Sequence, residues 1–241
     1  MISLDEIGKQ FRGTWVFRNI NLEINSQESI VILGPSGSGK SVLLKIIAGL
    51  LEADEGHSHL KTKNIGMLFQ KNALFDSLTV EQNLLFPLRE RLEIIGTQAK
   101  EKVSRFLSAV GLEGTEELYP YEISGGMQKR LGIARALIVN PELMLYDEPT
   151  AGLDPITSKT IAELIQNLRA EMKSTLLIVT NDVQRAYQIG DRIFLLAQGR
   201  LIAGGSAHEV QGTQDPVLKQ FIYGLQDGPL TAEIRSNEHS I

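Results

Sequence analysis

Residues 29–48 read Ser29-Ile30-Val31-Ile32-Leu33-Gly34-Pro35-Ser36-Gly37-Ser38-Gly39-Lys40-Ser41-Val42-Leu43-Leu44-Lys45-Ile46-Ile47-Ala48. Gly34 to Ser41 is an unbroken G-x-x-x-x-G-K-[ST] pattern, entered from an apolar strand and left through a helix-forming run. Glycines at 34, 37 and 39 let backbone N–H groups curl round a phosphate, and the helix N-terminus adds partial positive charge. Pro35, Ser36 and Ser38 complete the loop. Lys40 is placed to reach the β- and γ-phosphates, and the Ser41 hydroxyl to hold Mg²⁺. The stretch implies a nucleoside triphosphate site.

Outward from that loop, the chain sets few other limits. With 241 residues, 42% hydrophobic and 22% charged, it is long enough for one sizeable domain with a subdomain. A net charge of −5 gives no basic field for nucleic acid, and the absence of cysteine excludes disulfides and thiol chemistry. The opening Met1-Ile2-Ser3-Leu4-Asp5-Glu6 has no basic region before an apolar core, so no secretory signal is expected. The longest apolar stretches, such as Thr175 to Val179, are too short to cross a bilayer. A cytoplasmic protein is expected, with any membrane part supplied by another chain.

Residues 1–33 predict short strands (Ile2–Leu4, Val16–Ile24, Ser29–Leu33) with turns at Arg12-Gly13 and Asn25-Ser26. A buried strand is expected over Ile65–Phe69. From about Val80 to Ala136 the spacing turns helical: Leu84, Leu88, Leu92 and Ile95, then Val103, Phe106, Leu107 and Val110. Strands at Leu143–Tyr146 and Leu176–Val179 follow, with a helix over Ser158–Met172 between them. Such unalternating apolar runs fit a parallel sheet buried on both faces. The expected domain covers residues 1–223, with a helical subdomain at about 78–136 and a polar tail over 224–241.

Two further motifs carry chemistry. The strand Leu143-Met144-Leu145-Tyr146 ends in Asp147-Glu148, where Asp147 suits a Mg²⁺-holding carboxylate and Glu148 can polarise the water that attacks a γ-phosphate. Ser124-Gly125-Gly126 opens a basic helix through Lys129, Arg130 and Arg135, a turn that forms an anion site needing an anion from elsewhere.

Ile123-Ser124-Gly125-Gly126-Met127-Gln128 resembles the signature motif of the ATP-binding cassette (ABC) ATPases, and with the loop and Asp147-Glu148 the resemblance spans roughly residues 1–222. It implies an α/β fold: a P-loop NTPase (RecA-like) core with an antiparallel β subdomain and an inserted α-helical subdomain. It implies ATP and Mg²⁺ as cofactors. It assigns Phe11 to adenine stacking, Gln70 to Mg²⁺ and the attacking water, and Ala151-Gly152-Leu153-Asp154 to a loop crossing a dimer interface. It also implies a head-to-tail homodimer in which Ser124, Gly125 and Gly126 meet the partner's γ-phosphate. Phe75, Leu78, Leu84, Phe86 and Pro87 become candidates for a groove that docks a permease.

The chain departs from the family in two places. Asn181 stands where a switch histidine is usual. An amide can donate a hydrogen bond but cannot hold a proton near neutral pH, so slowed hydrolysis with ATP binding largely preserved is expected. The segment from Gly56 to Gln70 is short, which leaves selection of the base open, and His57 and His59 are read there as surface residues rather than metal ligands.

Gly66 to Gln70, Ala73-Leu74-Phe75, Asn83, Phe86 to Glu90, and the ending through Asp215-Pro216, Phe221, Gly224 and Asp227-Gly228-Pro229 are similar to the ATPases of Mla-type, MCE-associated phospholipid transporters. That narrower resemblance implies an MlaE-like integral membrane permease, an MCE lipid-binding protein and attachment to the inner membrane. The tail beyond Gly228 then becomes a candidate clasp on a second ATPase subunit. An ABC ATPase for another cargo and a soluble ABC clamp without transport remain as alternatives.

Overall fold

Ile2, Leu4 and Ile7 turn to one buried side, and in the computed structural model, which describes residues 1–231, they lie on the strand β1 (Ile2–Phe11). β1 pairs antiparallel with β2 (Thr14–Ile24) across a turn at Arg12 and Gly13 whose φ angles of 52° and 82° are both positive. Such a turn follows the twist of the strands it joins. β1 is longer than the expected Ile2–Leu4, because a bulge at Glu6 (φ 51°) breaks the apolar alternation without ending the ladder. β3 (Ser29–Leu33) is buried at every residue, and the phosphate-type loop leads from it into α1 (Lys40–Ile47). β4 (Glu55–Leu60) then pairs with the free edge of β1, giving an antiparallel sheet in the order β2-β1-β4.

Residues Thr62–Leu176 form a separate unit. Its strand β5 (Ile65–Leu68) is followed by three helices, α2 (Val80–Leu92), α3 (Gly96–Ala109) and α4 (Gly125–Leu137). β6 (Leu143–Asp147) runs parallel to β5, and α5 (Pro155–Met172) follows. Thr79 caps α2 with a full capping box, and Glu93 (φ 55°) stops the helix at Leu92. The helical spacing expected through Ile95 is therefore cut short, and Ile95 is left 70% exposed. α4 lies directly on β5: a Cβ on Gly132 would stand 2.8 Å from Leu68 Cδ1, so a larger residue there would require the Leu68 side chain to shift.

β7 (Thr175–Thr180), buried throughout, carries the chain back to the first unit, which resumes at Leu177. There α6 (Val183–Ile189), β8 (Arg192–Ala197) and β9 (Arg200–Gly205) precede α7 (Ala207–Gln211) and α8 (Pro216–Tyr223). β3 is parallel to β8, and β8 is antiparallel to β9, so this sheet is of mixed sense. The result is the expected α/β fold, with an antiparallel sheet beside it. Two strands, β8 and β9, follow β7 beyond those expected from the sequence. Ile193 to Ala197 is a second fully buried apolar run, and β9 is hydrogen-bonded to it.

The segment after Gly224 is held on α8. Gln220 is 3% exposed, accepts from the Leu230 N–H, and donates to the Leu225 carbonyl and the Thr231 hydroxyl. Residues 232–241, the greater part of the candidate clasp, lie outside the described residues.

Candidate nucleotide and anion sites

β3 ends at Leu33, and from Gly34 the chain must turn sharply to enter α1. Gly39 takes the cap position with φ 97°, and no side chain caps the helix, so the N-terminal end of α1 faces the loop without a capping side chain. A Cβ at Gly39 would stand 2.5 Å from Val16 Cγ1 and 2.9 Å from Phe17 Cδ1, whereas one at Gly37 (φ 82°) would meet nothing within 4 Å. The loop is thus packed on one side and open on the other. Lys40 is 6% exposed and folds back over it, its Nζ donating to the carbonyls of Gly34 at 2.8 Å and Pro35 at 3.1 Å. Ser38 Oγ is buried with no hydrogen-bond partner. An orphaned hydroxyl, an uncapped helix and a buried ammonium together fit a phosphate group.

Phe11 closes β1 and is 48% exposed, with Lys9 Nζ 5.4 Å from its ring centroid and paired in turn with Asp54. It is an open aromatic face and not a core strand residue. Asn181 follows β7 and is exposed, and the next residue, Asp182, caps α6. His57 and His59 sit exposed on β4 opposite Asp5 and Ser3, and no cluster of three or more metal-binding side chains occurs among the described residues.

In the unit of residues 62–176, β6 delivers Asp147 (4% exposed) and Glu148 (8% exposed), the latter at φ 49°. A glutamate held in that left-handed region is strained, which marks a position fixed by its surroundings. Lys129 of α4 is 3% exposed and donates to the Gln70 carbonyl at 3.1 Å. Burial pushes its ammonium below the ordinary value, while the charges of Asp147 and Glu148 oppose that shift. Sequence reading did not single out Lys129, although spacing carries the signal: residues 129, 132, 133 and 137 share the buried stripe of α4.

Ser124 caps α4 by accepting from the Met127 N–H at 3.3 Å. Asp154 caps α5, accepting from the Ile156 and Thr157 N–H groups at 2.9 and 3.0 Å, and the hydrogen bond from the Thr157 hydroxyl, helped by these N–H groups, holds its carboxyl below the usual range. The two caps face one cleft of about 410 Å³ lined by Ser124, Gly125, Gly126, Arg130, Gly152 and Asp154. The structure therefore joins two motifs that sequence reading placed some distance apart.

Phe75 and Phe86 are 38% and 36% exposed and meet edge to face at 4.8 Å, and the Arg135 guanidinium lies over Phe75 at 4.8 Å. Asn83, fully buried, binds both the N–H and the carbonyl of Phe75. Leu78 lines a neighbouring groove with Phe86, Ile94 and Ile95, and Pro87 is half-buried within α2. Leu84 is a correction to the docking set. It is wholly buried in α2, where a three-to-four-residue apolar spacing directs it inward.

A loop of this kind beside an α/β sheet defines a nucleoside triphosphatase. Residues 17–151 match the family model described as ABC transporter, and the chain belongs to that family. It is an ATP-binding, ATP-hydrolysing subunit. The intermembrane phospholipid transport system ATP-binding protein MlaF of Escherichia coli K12 is 37% identical, over 89% of this chain and 86% of the relative. The Arabidopsis thaliana protein TRIGALACTOSYLDIACYLGLYCEROL 3, chloroplastic, is 36% identical over 95% and 75%. The probable ribonucleotide transport ATP-binding protein mkl of Mycobacterium leprae is 35% identical over 100% and 74%. Among solved structures, the dimeric post-hydrolysis state of the ATP-binding cassette MJ0796 bound to ADP and Pi superimposes with a TM-score of 0.76. It shares 32% identity and covers 83% of this chain and 96% of its own. Among the described residues no helix is long and apolar enough to cross a membrane.

Proposed function

We propose that this chain powers phospholipid transport between membranes, as a homodimer attached to a separate integral membrane permease of the inner membrane and to an MCE lipid-binding protein. The observation that carries the cargo is likeness to a phospholipid transport ATPase over 86% of that relative's length. The dimeric cassette neighbour supports the pairing, since a two-fold, self-complementary contact lets one gene product build both sites.

In this reading the loop Gly34–Ser41 binds the phosphates, Phe11 the base, and Ser41, Gln70 and Asp147 the Mg²⁺. Mg²⁺ supplies charge neutralisation at the phosphates. Glu148 orients and polarises the attacking water, with Gln70 and Asn181 as its neighbours in role. Ser124, Gly125, Gly126 and Asp154 serve the partner's nucleotide. The exposed Phe75–Phe86 pair with Leu78 and Pro87 receives the permease.

The mkl relatives favour a second cargo, ribonucleotide, and one experiment separates the two. Tagged Glu148→Gln, expected to hold the ATP-closed dimer, is recovered from detergent-solubilised membranes for mass spectrometry of proteins and lipids. A permease, an MCE protein and bound phospholipid support the proposal. A permease without lipid points to the other cargo, and no membrane partner overturns transport.

A further inference from the structure

Helix α4 begins at the Ser124 cap, and about 7.5 Å along its axis, five residues on at 1.5 Å each, it buries an ammonium group. A lysine that is 3% exposed is costly to the fold unless its charge is both hydrogen-bonded and balanced. Lys129 satisfies both conditions from one small neighbourhood. Its Nζ donates to the main-chain carbonyl of Gln70 at 3.1 Å, and its charge acts on Asp147 and Glu148 at the end of β6. The bond fixes the backbone at Gln70 and leaves that residue's amide side chain to other work. Asp147 and Glu148 are adjacent buried carboxylates of like charge, one on a strained backbone, and the Lys129 ammonium is a fixed cation of opposite sign whose charge acts on both.

We propose that Lys129 is a positioning residue for ATP hydrolysis, clamping the Gln70 backbone to α4 and supplying the fixed positive charge that holds Asp147 and Glu148 ready. It acts through those residues and not on the nucleotide. The inference rests on the reading of Glu148 and Gln70 given above.

The test compares full-length wild type with Lys129→Met, Lys129→Arg and Lys129→Gln. ATP turnover, equilibrium binding of a fluorescent ATP analogue, melting temperature and amide hydrogen exchange are measured on each. Lys129→Met is expected to lower kcat at least about tenfold, with KM and analogue affinity within about threefold, because orientation and not binding is lost. Exchange should quicken over residues 69–73. Lys129→Arg, which keeps the charge and a donor, should return kcat to within about threefold of wild type. Lys129→Gln, polar and uncharged, covers the case in which Met does not fold, and should lose kcat as Met does. Unchanged kcat in Met or Gln overturns the proposal. So does equal loss of kcat, affinity and melting temperature in Met and Arg, which is the signature of a merely structural lysine. A wild type without ATP turnover overturns the Glu148 reading first, and is seen before any variant is made.

Discussion

Two helix N-termini in this protein, both proposed above to meet phosphate, are built differently. At α1 the cap is a left-handed glycine with no side-chain cap, and a lysine that is 6% exposed folds over its own loop carbonyls. At α4 the cap is an exposed serine whose oxygen already accepts from its own helix, at a long 3.3 Å, with no lysine folded across it. The first site carries its own counter-charge and donors, so it can bind a phosphate within one chain. The second has glycine amides and a helix dipole but no such charge at the turn itself, so it can add only to an anion held elsewhere. On the proposed reading, similar composition thus gives a primary site and an accessory site.

The comparison breaks most visibly at Lys40. Lys40→Met should weaken binding of a fluorescent ATP analogue about 100-fold, roughly 3 kcal/mol for lost charge-assisted bonds. A change under about threefold would remove the distinction between the two turns. Next in size is Gly39→Ala, whose Cβ would stand 2.5 Å from Val16 Cγ1 at φ 97°. A cost of about 2–4 kcal/mol is expected from clash and strain, lowering the melting temperature by roughly 4–16 °C. Gly37→Ala, at φ 82° in open space, should cost only about 1 kcal/mol. Equal losses at the two glycines would mean that the loop is not packed on one side.

Ser124→Ala sharpens the contrast from the other turn. It should destabilise the fold by about 1 kcal/mol through the lost cap, with analogue binding to the single chain unchanged. ATP-dependent self-association, followed by light scattering, should weaken. Binding that falls as it does for Lys40→Met would place both turns on one nucleotide of one chain. The smallest expected effect is at Asn181. Asn181→His should raise ATP turnover by about two- to tenfold and introduce a dependence on pH near 6.5, with affinity little changed. Flat turnover would show that the amide already does what a histidine would.

What was legible in the sequence follows from the range of the forces involved. β3, β6 and β7 were readable because strands buried on both faces carry near-continuous apolar runs, and each of these is buried throughout with polar residues only at its ends. The caps at Thr79 and Asp215 were present but unread, and with the latter α8 was missed. β4 carries mostly polar, exposed residues, and β9 is a short Arg-Leu-Ile-Ala-Gly-Gly run that is half-buried or exposed throughout, so no pattern announces either; their ladders to β1 and β8 do. α2 was read too long because Glu93 is an ordinary residue until its φ of 55° is known.

The sequence by itself determined the phosphate-binding chemistry, since a loop made of backbone N–H groups, glycines and the lysine that follows them is settled within a dozen residues. The order of the motifs, and with it the family, was settled at the same level. Tertiary structure alone decided that Lys129 is buried against Gln70 near Asp147 and Glu148. It alone brought the turns at Ser124 and Asp154 into one cleft and withdrew Leu84 from the surface. Those outcomes depend on which helix face meets which strand. Packing makes that choice over the whole chain at once, and no local stretch contains it.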